Sequence, residues 1–128
     1  MKRTNVMSGP DRGANLVVVR GVLARPIEEH QLATGSRIAS FDLTVPPSEG
    51  RRTETVPVVW IDPPTSAVEH REGGEVIVIG RVRRRFFRAG AQTMSRTEVV
   101  ADTVTSTRSA RRVAEAVRRA AEQLGRVV

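Results

Sequence analysis

Four arginines and two phenylalanines crowd the segment Arg81-Val82-Arg83-Arg84-Arg85-Phe86-Phe87. A guanidinium pairs with phosphate bidentately and stacks on planar groups, and an aromatic ring offers a π-face to an unstacked base. The chemistry open to these residues is therefore capture of a polyanionic strand rather than bond making. Nothing else in the chain competes for a catalytic role. Glu28-Glu29 and Glu69 with Glu72 could be imagined as acid-base pairs, but no nucleophile, phosphate-binding loop or metal cluster accompanies either, and a non-enzymatic protein is expected. There are no cysteines, and the two histidines, His30 and His70, read as surface residues, so neither a metal site nor a cofactor is expected.

The arginines need an element to aim them, and the residues before them supply it. Glu75-Val76-Ile77-Val78-Ile79-Gly80 is an apolar, β-branched run suited to a buried strand. If the strand continues to Phe87, side-chain alternation puts Arg81, Arg83, Arg85 and Phe87 on one face and Val76, Val78, Val82 and Phe86 on the other. The first face reads as the binding platform and the second, Phe86 included, as core.

The 128 residues form one domain by size, and they carry a net charge of +7 from twenty arginines and Lys2 against fourteen acids. Such basicity points to a polyanionic partner. Six arginines against two glutamates from Arg108 onward account for +4 of it, leaving +3 for the rest of the chain. Residues 1–12 read as a polar, flexible arm without the apolar segment of a secretory signal, and no apolar run is long enough to span a bilayer. A cytoplasmic, nucleoid-associated protein is expected.

Three further strands precede the arginine segment. Leu16–Leu23 is rich in valine, with Gly21 marking a bend, and stops at Arg25-Pro26. Arg37–Val45 alternates polar with apolar and closes at Pro46-Pro47-Ser48-Glu49-Gly50, while Glu28–Gly35 before it reads as a loop. Thr53–Ile61 follows, its Pro57 hinting at an edge or a bulge. Thr65–Arg71 is long enough for two helical turns before Gly73-Gly74, and a turn around Arg88-Ala89-Gly90 returns the chain into a fifth strand, Met94–Thr105. From Ser109 the sequence is helical, with an apolar stripe of Ala110, Val113, Val117, Ala120, Leu124 and Val128 opposite Arg111, Arg112, Glu115, Arg118, Arg119 and Glu122. That stripe suits packing against the strands or a sister subunit.

Five strands with a short helix between the third and fourth are the plan of an all-β, Greek-key OB-fold barrel, here with an added C-terminal amphipathic helix. The residues also resemble the bacterial single-stranded DNA-binding protein family. Asn15-Leu16-Val17-Val18-Val19-Arg20-Gly21-Val22-Leu23 is similar to its opening strand, Ile38–Val45 to its second and Val58-Val59-Trp60 to its third. Gly74–Gly80, the arginine segment and Thr97-Glu98-Val99-Val100-Ala101-Asp102 follow in the family's order and spacing. The likeness spans roughly residues 13–106, so the chain divides into the arm at 1–12, a binding domain at 13–107 and a helix at 108–128.

The resemblance implies binding of single-stranded DNA with little sequence preference, in replication, recombination or repair, by a homo-oligomer, a tetramer. It places stacking on Trp60 and Phe87 and phosphate contacts on Arg81, Arg83 and Arg85, with Arg37, Arg51 and Arg52 beside the long hairpin at Pro46–Thr53. RNA would stack on the same platform. Two departures stand out. Tryptophans the family carries on its second and third strands are missing, and the acidic tip that recruits partner proteins is replaced by a basic helix, so recruitment through such a tip is not expected. An assembly module working through the helix, with weak or no DNA binding, is the alternative.

Overall fold

The structure, a computed structural model, describes residues 13–65 and 70–127. The arm at 1–12, Val128 and most of the short helix expected at Thr65–Arg71 lie outside the described residues. Six strands and one helix follow in order: β1 Val17–Leu23, β2 Glu28–Gln31, β3 Arg37–Val45, β4 Glu54–Ile61, β5 Glu75–Ala89, β6 Gln92–Ser106 and α1 Ala110–Gly125. The fold is mostly β with a C-terminal helix.

One strand more is present than the five expected. β2 pairs antiparallel with the first half of β3, Glu28 opposite Ser40 and Gln31 opposite Arg37. Its four residues, Glu-Glu-His-Gln, are all on the exposed surface and include no β-branched residue to mark a strand. Charged side chains are what an outer edge strand carries, since they discourage pairing with another chain.

The remaining strands are hydrogen-bonded in the order β1-β5-β6-β4-β3, and β3 pairs back to β1 through Val22–Thr44 and Leu23–Leu43. This closes a barrel-like ring. Every pairing in it is antiparallel except β4 with β6, which run parallel through Val58–Val99, Val59–Val100 and Trp60–Ala101. β4 is thus an interior strand, and Pro57 is accommodated one residue before that parallel ladder begins rather than at an edge. Gly21 sits where β1 passes from β3 to β5, and a Cβ there would lie 2.8 Å from the Thr44 carbonyl oxygen.

Inside the ring, Leu23, Ala39, Phe41, Leu43, Val58, Trp60, Val76, Val78, Val99, Ala101 and Val104 form one buried cluster. They alternate along each strand, as a sheet with one covered face requires, except that Val104 follows Ala101 by three because β6 carries one extra residue between them. The outward residues Ile77 and Ile79 are buried as well, because α1 packs on them through Ala116 and Ala120, with Val113 and Leu16 alongside. Ser109 caps this helix by accepting from the Arg112 N–H at 3.2 Å. The buried stripe is therefore shifted from the expected one: Ala116 joins Val113 and Ala120, whereas Val117 and Leu124 face solvent. The apolar arc is wider than the contact, so the strands cover only one edge of it. No helix among the described residues is long and apolar enough to cross a membrane.

Candidate nucleic-acid interface

β5 and β6 make a hairpin far longer than the ring that holds it. β1 accompanies β5 only as far as Gly80, opposite Val17, and β4 joins β6 only from Val99 onward. Past that point Arg83–Ala89 and Gln92–Glu98 pair solely with each other, as a two-stranded ribbon turning at Gly90-Ala91. With Val82 and Val99 at its root, the ribbon reaches about 25 Å at the ordinary strand rise. Asn15 secures the root: its amide accepts from the Val82 N–H at 2.9 Å and donates to the Val82 carbonyl at 2.7 Å, as a further strand residue would. The pairing also slips between Ile79 and Gly80, leaving Asp102 as an extra residue of β6. A Cβ on Gly80 would collide with the Val100 carbonyl. Such a bulge increases local twist and re-aims the strand beyond it.

The sequence assigned one ribbon face to core and one to solvent, but both are exposed. Phe86, expected inside, is 65% exposed, and Phe87 on the opposite face is 36% exposed. Residue parity holds along the whole strand, but the barrel interior ends at its root, so no core remains for Phe86 to join.

The faces differ in charge. Directly opposed pairs on one face are Arg83–Glu98, Arg85–Arg96 and Phe87–Met94; on the other they are Arg84–Thr97, Phe86–Ser95 and Arg88–Thr93. On the first face the arginines are partly neutralised. Arg81 lies 4.0 Å from Asp102, and Arg96 lies 3.9 Å from Asp42 of β3. Glu98, its side chain only 1% exposed, accepts from Arg83 Nη2 at 2.7 Å and Nε at 3.1 Å and from Arg85 Nε at 3.2 Å, all on Oε2. Its other oxygen, Oε1, is buried without a hydrogen bond, the Arg96 Nε standing 3.9 Å away. Burial alone would push the Glu98 carboxyl up, but the hydrogen bonds from Arg83 and Arg85, with their charges, outweigh it and hold the group below the ordinary carboxylate value.

On the second face no carboxylate is present among the opposed pairs. Arg84 donates to Ser95 Oγ at 3.2 Å and stands over the Phe86 ring, 5.4 Å from its centroid. Arg88 makes no ion pair among the described residues, and the same holds for Arg51 and Arg52. Arg85 makes a similar cation–π contact with Phe87 at 5.1 Å. Each phenylalanine of the ribbon thus carries an arginine beside it.

The 46–53 loop belongs to the same end of the molecule. β4 and β6 run parallel, so the loop leading into β4 and the ribbon leading into β6 leave the ring in the same direction. Arg51 and Arg52 in that loop are exposed. Arg37 is not near them: it begins β3, opposite Gln31, at the end remote from the Val45–Glu54 closure of the β3–β4 hairpin. There it gives its Nε to Glu29 at 3.1 Å. Trp60 departs further from its expected place. It is 6% exposed, faces the barrel interior, and has the His70 ring 6.2 Å from its own. Its faces are not offered to solvent, so the stacking role assigned to it by resemblance is not available in this arrangement.

Neither the comparison with protein-family models nor that with curated proteins finds a match. The likeness to a family therefore rests on the residues themselves. The sequence pattern places Phe86 in the core, names Arg84 only as part of the arginine run, and singles out neither Arg88 nor Glu98 as a site residue. Counting back from a two-residue turn at Gly90-Ala91 pairs Arg83 with Glu98 and Arg85 with Arg96, and so places a carboxylate beside the arginines.

Proposed function

We propose that this is a non-enzymatic OB-fold protein that binds single-stranded DNA with little sequence preference, through the ribbon of β5 and β6. The observation that carries this reading is the ribbon itself: a projecting hairpin with arginines and an exposed phenylalanine on each face, beside a second basic loop. The closed strand order, with its one parallel pairing, supports the OB-fold reading. Bases stack on Phe86 and Phe87, at about 1–3 kcal/mol per base, without hydrogen bonds that read sequence. Arg84, Arg88, Arg51 and Arg52 meet phosphates with charge that no carboxylate offsets, and the Glu98-bound arginines add a fixed patch. A homo-oligomer, by resemblance a tetramer, would present several such ribbons to one strand during replication, recombination or repair. A titration of labelled oligothymidylate at several salt concentrations, beside duplex DNA and single-stranded RNA, tests the reading. Tight, salt-sensitive binding of single-stranded DNA supports it; equal binding of all three polymers points to charge alone, and equal binding of DNA and RNA single strands to a stacking platform blind to the sugar.

A second reading is favoured by one observation, the exposure of Val117 and Leu124 on α1. An apolar edge on an otherwise charged helix suits an assembly role. Deleting α1 would uncover Ile77 and Ile79, so replacing Val117 and Leu124 by lysine is the cleaner test. Loss of assembly with DNA binding retained assigns the helix to assembly.

A further inference from the structure

Glu98 is the strangest residue of the ribbon. A carboxylate with a side chain 1% exposed is costly to bury, and this one has three guanidinium groups around it, from Arg83, Arg85 and Arg96. Arg85 and Arg96 stand directly opposite each other in the ladder, a like-charge pairing that ordinarily destabilises a sheet. One carboxylate among three cations leaves the cluster at +2, or at +1 with Asp42, which stands 3.9 Å from Arg96.

The geometry divides the donors of each arginine. Glu98 takes the inner edge of Arg83, its Nε and one Nη2 hydrogen, and only the Nε of Arg85. The Nη1 group of Arg83 and both terminal nitrogens of Arg85 make no hydrogen bond within the described residues, and the two side chains are 33% and 43% exposed. A guanidinium held by its inner edge still presents its outer N–H groups in a planar fork that fits a phosphate.

We infer that Glu98 is a positioning residue for the proposed nucleic-acid site: its buried carboxylate gathers Arg83 and Arg85 and leaves their outer N–H groups as a ready phosphate cradle. The inference rests on the single-strand reading above. Its consequence runs against simple electrostatics. Removing the Glu98 charge makes the protein more positive, yet it releases long side chains that must then be ordered on binding, and that ordering outweighs one added charge.

Three variants of the full chain separate position from charge, with oligothymidylate as the probe and melting curves to show that each is folded at the assay temperature. Glu98→Gln and Asp102→Asn add the same single positive charge, but Asp102 lies just below the ribbon root, where its one ion pair among the described residues is with exposed Arg81, at 4.0 Å. Glu98→Asp keeps the charge and withdraws the carboxylate by one methylene. At low salt Glu98→Gln is expected to bind about fivefold more weakly than the native protein, ordering of two arginines outweighing one added charge. Glu98→Asp is expected to weaken binding in the same sense, and Asp102→Asn to bind as tightly as the native protein or more tightly. Binding by Glu98→Gln as tight as by Asp102→Asn, or native affinity in Glu98→Asp, overturns the inference while leaving the single-strand reading intact. Failure of the native protein to bind oligothymidylate overturns both.

Discussion

The two halves of β5 are one continuous strand with opposite surroundings. From Val76 to Gly80 every residue is buried, alternate side chains entering the barrel core or lying under α1. From Arg81 to Ala89 all but Arg83 are exposed. What changes is the company: β1 and α1 flank the first half, and only β6 flanks the second. Pleating decides which side chains share a face, but neighbouring elements decide whether that face is core. The first half stabilises the molecule, and the second is left exposed, as the proposed binding role requires.

The sharpest way to break this contrast is to exchange rings. Trp60→Ala removes the largest side chain from the core and should cost about 3–5 kcal/mol of stability, read by denaturant unfolding. Phe86→Ala removes an exposed ring, so stability should move by no more than about 0.5 kcal/mol, while affinity for oligothymidylate falls by about 1–3 kcal/mol. A stability loss at Phe86 comparable to that at Trp60 would erase the distinction. Within the first half, Ile79→Ala opens the seam under α1 and should cost about 2–5 kcal/mol, with binding unchanged once the variant is folded.

The contrast between the ribbon faces is tested by salt. Replacing Arg84 and Arg88 by alanine should flatten the dependence of log affinity on log salt by about 0.7 for each phosphate that the variant no longer neutralises. Arg81→Ala should change it less, because Asp102 already offsets that charge. Equal changes would show that the carboxylates do not matter.

The smallest expected effect lies at low pH. Glu98 is held below the ordinary carboxylate value of 4.5 in the native state, so the unfolded chain takes up its proton first as pH falls. The stabilisation this provides is complete above the unfolded value and is lost as pH drops from there through the lower native value. Melting temperatures of Glu98→Gln should accordingly fall less steeply than those of the native protein below about pH 4.5.

Much of this was legible in the sequence. Valine-rich runs marked β1 and the start of β5, strict alternation marked β3, and the arginines were found on the strand expected to carry them. β2 escaped because an edge strand of Glu-Glu-His-Gln needs no apolar face. Phe86 and Trp60 were misplaced for opposite reasons: one was credited with a core that stops before reaching it, the other with an exposure that its inward parity forbids. Arg37 was grouped with Arg51 and Arg52 by chain proximity, although the intervening strand carries it to the other end of the hairpin. The helix stripe slipped because Val113, Ala116, Val117, Ala120 and Leu124 form an arc broader than the surface they meet, and composition does not say which edge is covered.

The central claim is that the ribbon beyond Val82 is the binding element. Its most direct test is a low-salt titration of labelled oligothymidylate with the native protein and with a triple variant, Arg84→Ala, Phe86→Ala and Arg88→Ala, whose melting temperature is checked alongside. The account predicts that the native protein binds, and that the triple variant binds at least about tenfold more weakly with melting unchanged. Native affinity in that variant, or no binding by the native protein, would contradict it.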